Sequence, residues 1–600
     1  MEFTQPALLT EKLMLIKNLI YSKKLTIPIW RTRTAHYTEP VAYTDYSEWK
    51  SMSLGESWVC HYDDARWFEA SVTVPEDFAG KHLVLELNMG GEGMVTVNGE
   101  PKGSLAFYEK PDCYGPALPL RHRTRIELGS LPAGQKLDIS VQLNMNYKDF
   151  YKSARYIKYD GTVKTTYRLT SAALCVVDDD TEQFYFDAAN ALDAARYLES
   201  PAETILNKVQ GRYLPQNFET VLMSMNRDGA LATRLNMAVL TALNVLPFYE
   251  GEDVMRRHMA QAADVLKQQL EQLPAADRGY VYISGLAHLD IVWLWQEKHS
   301  VRKIANTVAN TLALTQQYPE YVFTLSQPYA FQWLETYYPE LFEKLREKVA
   351  SGNIDPVGNL WVEMDCNLAG GESIVRQLLY GRAYYMEKFG KCSDIFLMPD
   401  SFGYNAALPQ IIAKSGIKYF LSAKLHANET YRFPHTLFRW QGLDGTRVPT
   451  YLMRNPYSSD LNCTYLSTTN VRRERKDLTN VSCLTFGWGD GGGGPDYVML
   501  ENARRLQNMP GIPMVKMATL DEFFQAATVN EDQLPVWNDE LYFDRHRGTY
   551  TTQAKIKKNN RKAELALRRT EMAASIRKIC LGMEYPAREL EQLWKMLLHL

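Results

Sequence analysis

Between residues 280 and 525, short apolar runs alternate with amphipathic helical stretches, and this alternation limits the fold more than any other feature of the chain. Val281–Leu286, Val322–Ser326, Ile395–Pro399, Tyr419–Ser422 and Cys483–Phe486 read as strands. Glu340–Val349 and Gln377–Phe389 carry the 3.6-residue apolar period of helices. Strands alternating with helices imply a parallel sheet, either open or closed as a barrel. In both forms the working face lies at the carboxyl ends of the strands.

At 600 residues the chain is too long for one core, and roughly three or four domains are expected. Residues 1–45 read as a helical lead, since MEFTQPALLTEKLMLIKNLIY has an acidic residue early and lysines within its apolar face, unlike a signal peptide. Residues 46–180 alternate polar and apolar at Trp67–Pro75, His82–Asn88 and Leu137–Leu143, with a turn signal at Asn98-Gly99, which predicts a β-sandwich. Residues 181–277 read as a helical connecting layer and 278–525 as the α/β unit. Residues 526–600, rich in Lys and Arg, read as the start of a helix bundle with a solvated charged face. The fold class is thus multidomain α/β.

Charge excludes some functions. A net charge of -3, from 67 basic and 70 acidic residues, offers no electrostatic footprint for nucleic acid or an anionic membrane. No run approaches the ~18 apolar residues of a membrane span. The cysteines, at 60, 113, 175, 366, 392, 463, 483 and 580, form no CxxC pair. They read as thiols of a reducing compartment, which predicts a cytoplasmic protein.

Three segments carry candidate chemistry. Ser284–Gln296 passes from apolar strand to a polar step holding His288 and Asp290. Residues two apart on a strand share a side, so an imidazole and a carboxylate would project together, two-thirds of a site for a borderline metal such as zinc. A buried structural His beside a helix-capping Asp is the plain alternative. Asp400, at the end of Ile395–Pro399, supplies a third ligand of suitable chemistry or a carboxylate nucleophile. Thr485–Pro495 places six glycines around Asp490, a backbone able to pass close to a ligand and present one acid. It lacks the Gly-Lys-Ser/Thr ending of a phosphate loop. Trp361–Asn367 with Gly371–Arg376, and Asp544–Thr552, gather charges that suit a polyhydroxylated substrate or, equally, surface ion pairs.

Together Ala287-His-Leu-Asp-Ile-Val-Trp-Leu-Trp295, Gly358-Asn-Leu-Trp-Val-Glu-Met-Asp365, Met398-Pro-Asp-Ser-Phe-Gly-Tyr404, Gly487–Pro495 and His546-Arg-Gly-Thr-Tyr-Thr-Thr-Gln553 resemble glycoside hydrolase family 38, in particular its α-mannosidases. The resemblance covers roughly residues 50–600 in matching order. It implies a (β/α)7 barrel, one zinc ion and retaining hydrolysis of α-mannosides. It further implies that His288, Asp290 and Asp400 hold zinc, with Asp400 also the nucleophile, Asp490 the general acid/base and Trp293 against the sugar. Phe402, Asp365 and His546, each inside a matching motif, are expected as further substrate-binding residues. Retaining hydrolysis needs its two carboxyl groups about 5–5.5 Å apart. By the same resemblance zinc would take the 2- and 3-hydroxyls, whose cis arrangement separates mannose from glucose.

The sequence departs from the family at its end. The family's remaining zinc ligand is a His in a segment like Phe-His-Asp-Ile-Leu-Pro-Gly beyond a helix that resembles Leu593-Trp-Lys-Met-Leu-Leu598; His599 precedes that position and takes no role. A C-terminal truncation is therefore expected, with weak zinc binding and poor turnover. The alternatives are a carbohydrate-binding fragment with little or no activity, and a metal-dependent deacetylase on a related barrel. The expected ligand is a mannose-containing oligosaccharide, with neither nucleic acid nor membrane as partner. A homo-oligomer or a complementing C-terminal polypeptide is the expected protein partner.

Overall fold

The computed structural model describes residues 5–106, 123–146, 164–199, 228–274, 279–431, 433–453, 459–471, 477–489 and 491–599. Helix Gln5–Asn18 buries Leu9, Leu13 and Ile16 and packs on helices Asp179–Glu199 and Gly229–Leu243.

Two antiparallel sheets follow. One has the strand order Tyr21–Thr26, Ser171–Val177, His82–Asn88, Arg125–Ser130. The larger runs Ala42–Thr44, Ile29–Glu39, Asp64–Thr73, Lys136–Asn144, Glu92–Val97, Glu100–Ala106, with Lys50–Ser53 added beside Ile29–Glu39. Leu137, Ile139, Val141 and Leu143 are buried from alternate positions of one strand, the period of a sheet with one face in a core. The expected helical lead to residue 45 is corrected: it ends at Asn18 and strands begin at Tyr21. Tyr21-Ser-Lys-Lys-Leu-Thr has no apolar alternation to announce a strand. Its pairing with Ser171–Val177, Leu25 opposite Leu174, makes it one.

In the catalytic region, strand Tyr280–Leu286 pairs in parallel with Val481–Phe486, Phe323–Leu325 and Met514–Met517, and Phe323–Leu325 pairs on to Ile354–Pro356. A second sheet joins Ile395–Leu397, Tyr419–Ser422 and Arg447–Leu452 in parallel; Leu437–Gln441 is antiparallel to the last and also pairs with Val536–Trp537. Among the described residues the strands thus pair as two five-stranded sheets, where one seven-stranded ring is expected. The link between Ile354–Pro356 and Ile395–Leu397 is made by a side chain. Asn359, at φ 63°, donates Nδ2–H to the carbonyls of Ser393 at 2.8 Å and Ile395 at 3.0 Å, occupying backbone acceptors that a ladder would use.

The expected boundary at 525 also moves. Val536–Trp537 belongs to the second sheet, and Leu541 exchanges backbone hydrogen bonds of 2.9 Å with Tyr404. The terminal helices are Ala554–Leu581 and Ala587–Leu598. The two acids of the first turn inward: Glu564 accepts from Gly370 N–H at 2.8 Å and Ser373 Oγ at 2.6 Å, and Glu571 pairs with Arg376 at 2.5 Å. No helix among the described residues is long and apolar enough to cross a membrane.

Candidate active site

Strand Tyr280–Leu286 stops before the residues expected to project from its end. His288 and Asp290 lie in the loop that follows, so loop contacts, not strand alternation, set their direction. Gly492 N–H donates to His288 O at 3.1 Å, Gln327 Nε2 to Leu289 O at 2.9 Å and Ser300 Oγ to Asp290 O at 3.1 Å. Asp400 stands likewise beyond Ile395–Leu397. These loops bring one donor atom each of His288, Asp290 and Asp400 within 4.8 Å of one another. His288 is buried, and the two aspartates are half-buried.

Glu363, inside the Trp361–Asn367 cluster but not singled out from sequence, ties two of these residues together. Its Oε2 accepts from His288 Nε2 at 2.8 Å, and Oε1 accepts from Asp400 N–H at 2.6 Å and Ser401 Oγ at 3.2 Å. Glu363 is itself held by Gln327, whose side-chain carbonyl accepts the Glu363 N–H at 3.0 Å. Gln327 is buried at φ 69°, a conformation costly for a residue with a Cβ. Burial opposes charge on His288, but Glu363, Asp290 and Asp400 outweigh it and raise the imidazole to about 10. One ring thus faces three carboxylates.

Lys424 also has no forerunner in the sequence reading. Its Nζ lies 2.5 Å from Asp400 Oδ1 and 4.8 Å from the centre of the Phe402 ring. The 3-10 turn Lys424–Ala427, directly after strand Tyr419–Ser422, delivers it. His546 packs on Phe402 with ring centres 4.8 Å apart; partial burial, Lys424 and Arg545 lower its pKa. Asp365 accepts the N–H groups of Asn367 at 2.8 Å and Leu368 at 2.6 Å, and so shapes its own loop.

His288, Asp290, Glu363, Asp365, Asp400 and Phe402 line one cavity of about 470 Å³. Trp293 stands 41% exposed and edge-on to Trp295, just beyond the wall residue Val292. Asp490 lies outside the described residues, but its loop is fixed on either side. Trp488 donates Nε1–H to Asp496 at 2.9 Å, Trp488 and Gly494 pair, and Asn310 Nδ2 donates to Pro495 O at 2.9 Å. Two glycines are obligatory by contact or conformation: a Cβ on Gly487 would meet Leu286 O at 2.3 Å, and Gly492 sits at φ 73°.

The sequence of this site matches known families. Residues 278–540 match "Glycosyl hydrolases family 38 N-terminal domain", 544–600 "Alpha mannosidase middle domain", and 23–127 "Alpha-mannosidase, jelly roll domain". The chain carries a glycosyl hydrolase family 38 domain. Similarity to curated relatives extends along most of the chain. It is 36% identical to "Alpha-mannosidase" of Saccharomyces cerevisiae over 91% of this chain and 48% of that protein. It is 31% identical to "Alpha-mannosidase 2C1" of Homo sapiens over 92% and 49%, and 29% identical to "Alpha-mannosidase G" of Dictyostelium discoideum over 95% and 49%. The chain spans about half the length of these relatives.

For a family 38 site the donor set fits a divalent metal: one imidazole and two carboxylates converge, a mixture suited to zinc among other borderline ions. An imidazole whose one nitrogen is held by a carboxylate, as His288 is by Glu363, is oriented to offer the other. His599 reaches the same cavity wall but is not in this group. It stacks on Tyr329 with centres 5.0 Å apart, and its Nε2 lies 3.8 Å from Glu297.

Proposed function

We propose that this chain carries the site of a retaining α-mannosidase, with zinc held by His288, Asp290 and Asp400. The observation that carries the reading is the convergence of these three residues in a cavity that also contains Glu363, Asp365 and Phe402, within a chain whose relatives are named α-mannosidases. When bound, zinc would supply a Lewis-acid contact for substrate hydroxyls.

In this reading the chain's own groups divide the work. Asp400 attacks the anomeric carbon and forms an ester bond as the glycosidic C–O bond breaks. Asp490 protonates the departing oxygen. Water then attacks the same carbon, gives its proton to Asp490 and releases Asp400. Lys424, against the Asp400 carboxylate, restricts its orientation toward the sugar. Phe402, with His546 packed on it, offers an apolar face for the ring, and Trp293 a second at the rim. Asp365 binds substrate hydroxyls with the carboxylate capacity its loop leaves over. The substrate class is a mannose-containing oligosaccharide. A cytoplasmic setting accords with seven free cysteines among the described residues.

Metal analysis of the purified chain, paired with assay on aryl α-mannosides and α-glucosides, tests this reading. Zinc uptake that rises toward one per chain as the metal is titrated in, and slow but preferential turnover of the mannoside, are expected. A chain that binds zinc and turns over neither glycoside contradicts it.

A further inference from the structure

The glycine loop is gripped by the β-sandwich as well as by its own domain. Arg123, 7% exposed, donates Nη1–H to Gly493 O at 2.5 Å. Its backbone is fixed by exchanged hydrogen bonds with Ala106, 3.1 and 3.0 Å, at the end of strand Glu100–Ala106. That strand lies on helix Glu297–Gln317, with Ser104 Oγ donating to Asn306 O at 2.9 Å. Glu92 of the neighbouring strand forms an ion pair with Lys303 of the same helix. The guanidinium therefore enters from a docked, rigid platform.

A buried guanidinium costs free energy unless hydrogen-bonded and offset by negative charge. Gly493 O supplies a bond. The carboxyl of Asp496, buried at the start of helix Tyr497–Leu506, is pushed up by burial and drawn back by the Met499 N–H, by Trp488 and then by Arg123. Asp496 also holds Trp488. Arg123 thus holds the loop directly, at Gly493, while Asp496 holds it at Trp488. A stretch this rich in glycine has little intrinsic order, so its conformation must come from such contacts.

We propose that Arg123 is a positioning residue for the glycine loop, and that the sandwich is in this respect part of the active site. The proposal rests on Asp490 being the general acid/base, three residues before Gly493.

Hydrogen exchange and kinetics on Arg123→Met, Arg123→Lys and the interface control Ser104→Ala test it. Arg123→Met keeps the aliphatic stem and removes the donors. Amides of the 487–495 peptide should exchange roughly tenfold faster or more, the factor by which one charge-assisted hydrogen bond shifts a local opening, while strand Tyr280–Leu286 keeps its protection. Arg123→Lys should show a smaller increase of the same kind, and supplies the reading if Arg123→Met does not fold. Hydrolysis by Arg123→Met should slow more for alkyl than for nitrophenyl α-mannosides, with zinc content unchanged. Unchanged exchange in the loop, or an equal increase in Ser104→Ala, overturns the proposal. Faster exchange in a chain without mannosidase activity would sustain the positioning and sink the hydrolase reading instead.

Discussion

Glu363 holds His288 through a 2.8 Å hydrogen bond from the imidazole Nε2 to its carboxylate. Because its other oxygen accepts the Asp400 N–H, one side chain sets both the ring expected to bind metal and the backbone of the expected nucleophile. Replacing such a partner of a metal ligand typically costs 10–100-fold in affinity. Glu363→Gln should therefore weaken zinc binding by about that factor in competition with a chromogenic chelator, and Glu363→Ala should weaken it more. Wild-type affinity in both variants would leave Glu363 outside the site's function.

Lys424 should matter through kcat. Lys424→Met removes the cation 2.5 Å from Asp400 and leaves the carboxylate free to turn. Misplacing a reacting group by about 1 Å can cost on the order of 100-fold. Steady-state kinetics on nitrophenyl α-mannoside should show a fall of that order in kcat, with zinc stoichiometry retained. A change confined to KM would recast Lys424 as a substrate contact.

Asp490 should show the signature of an acid/base. Asp490→Ala should slow poor leaving groups far more than nitrophenyl mannosides, which need little protonation. Azide should restore part of the turnover by replacing activated water. Equal loss on all substrates without rescue would remove the role.

Asp355 predicts a pH dependence of stability. Burial first, then Asp521, raises this carboxyl to about 7, and its Oδ2 has no hydrogen-bond partner among the described residues. In the unfolded chain it ionises near the ordinary value of 3.8. Between these values the folded state binds more protons, so stability falls as pH rises from about 4 to about 7. The full penalty, present above pH 7, is on the order of 4 kcal/mol for a shift of about three units. Asp355→Asn should flatten the slope, gaining stability at pH 8 and little at pH 4 in urea titrations. Parallel curves for the two proteins would show that Asp355 titrates alike in the folded and unfolded states.

The sequence made the strand–helix alternation legible because each strand there is a short apolar run between turns. Strands Tyr21–Thr26 and Ile354–Pro356 escaped, since their residues become strands through partners distant in the chain. His288, Asp290 and Asp400 were legible because metal-binding residue types stood at strand ends, although loops set their final direction. Glu363 stood within a marked cluster with nothing to separate it from Asp365. Lys424 carried no signal, because its role comes from facing Asp400 across two strand ends.

The central claim, that Asp400 is the nucleophile of a retaining α-mannosidase, is tested most directly by trapping. A slow fluorinated mannosyl inactivator should add one sugar per active site, and peptide mass spectrometry should find it on Asp400 within the Pro399-Asp-Ser-Phe-Gly403 segment. Label on any other carboxylate, or inactivation without covalent label, would contradict the account.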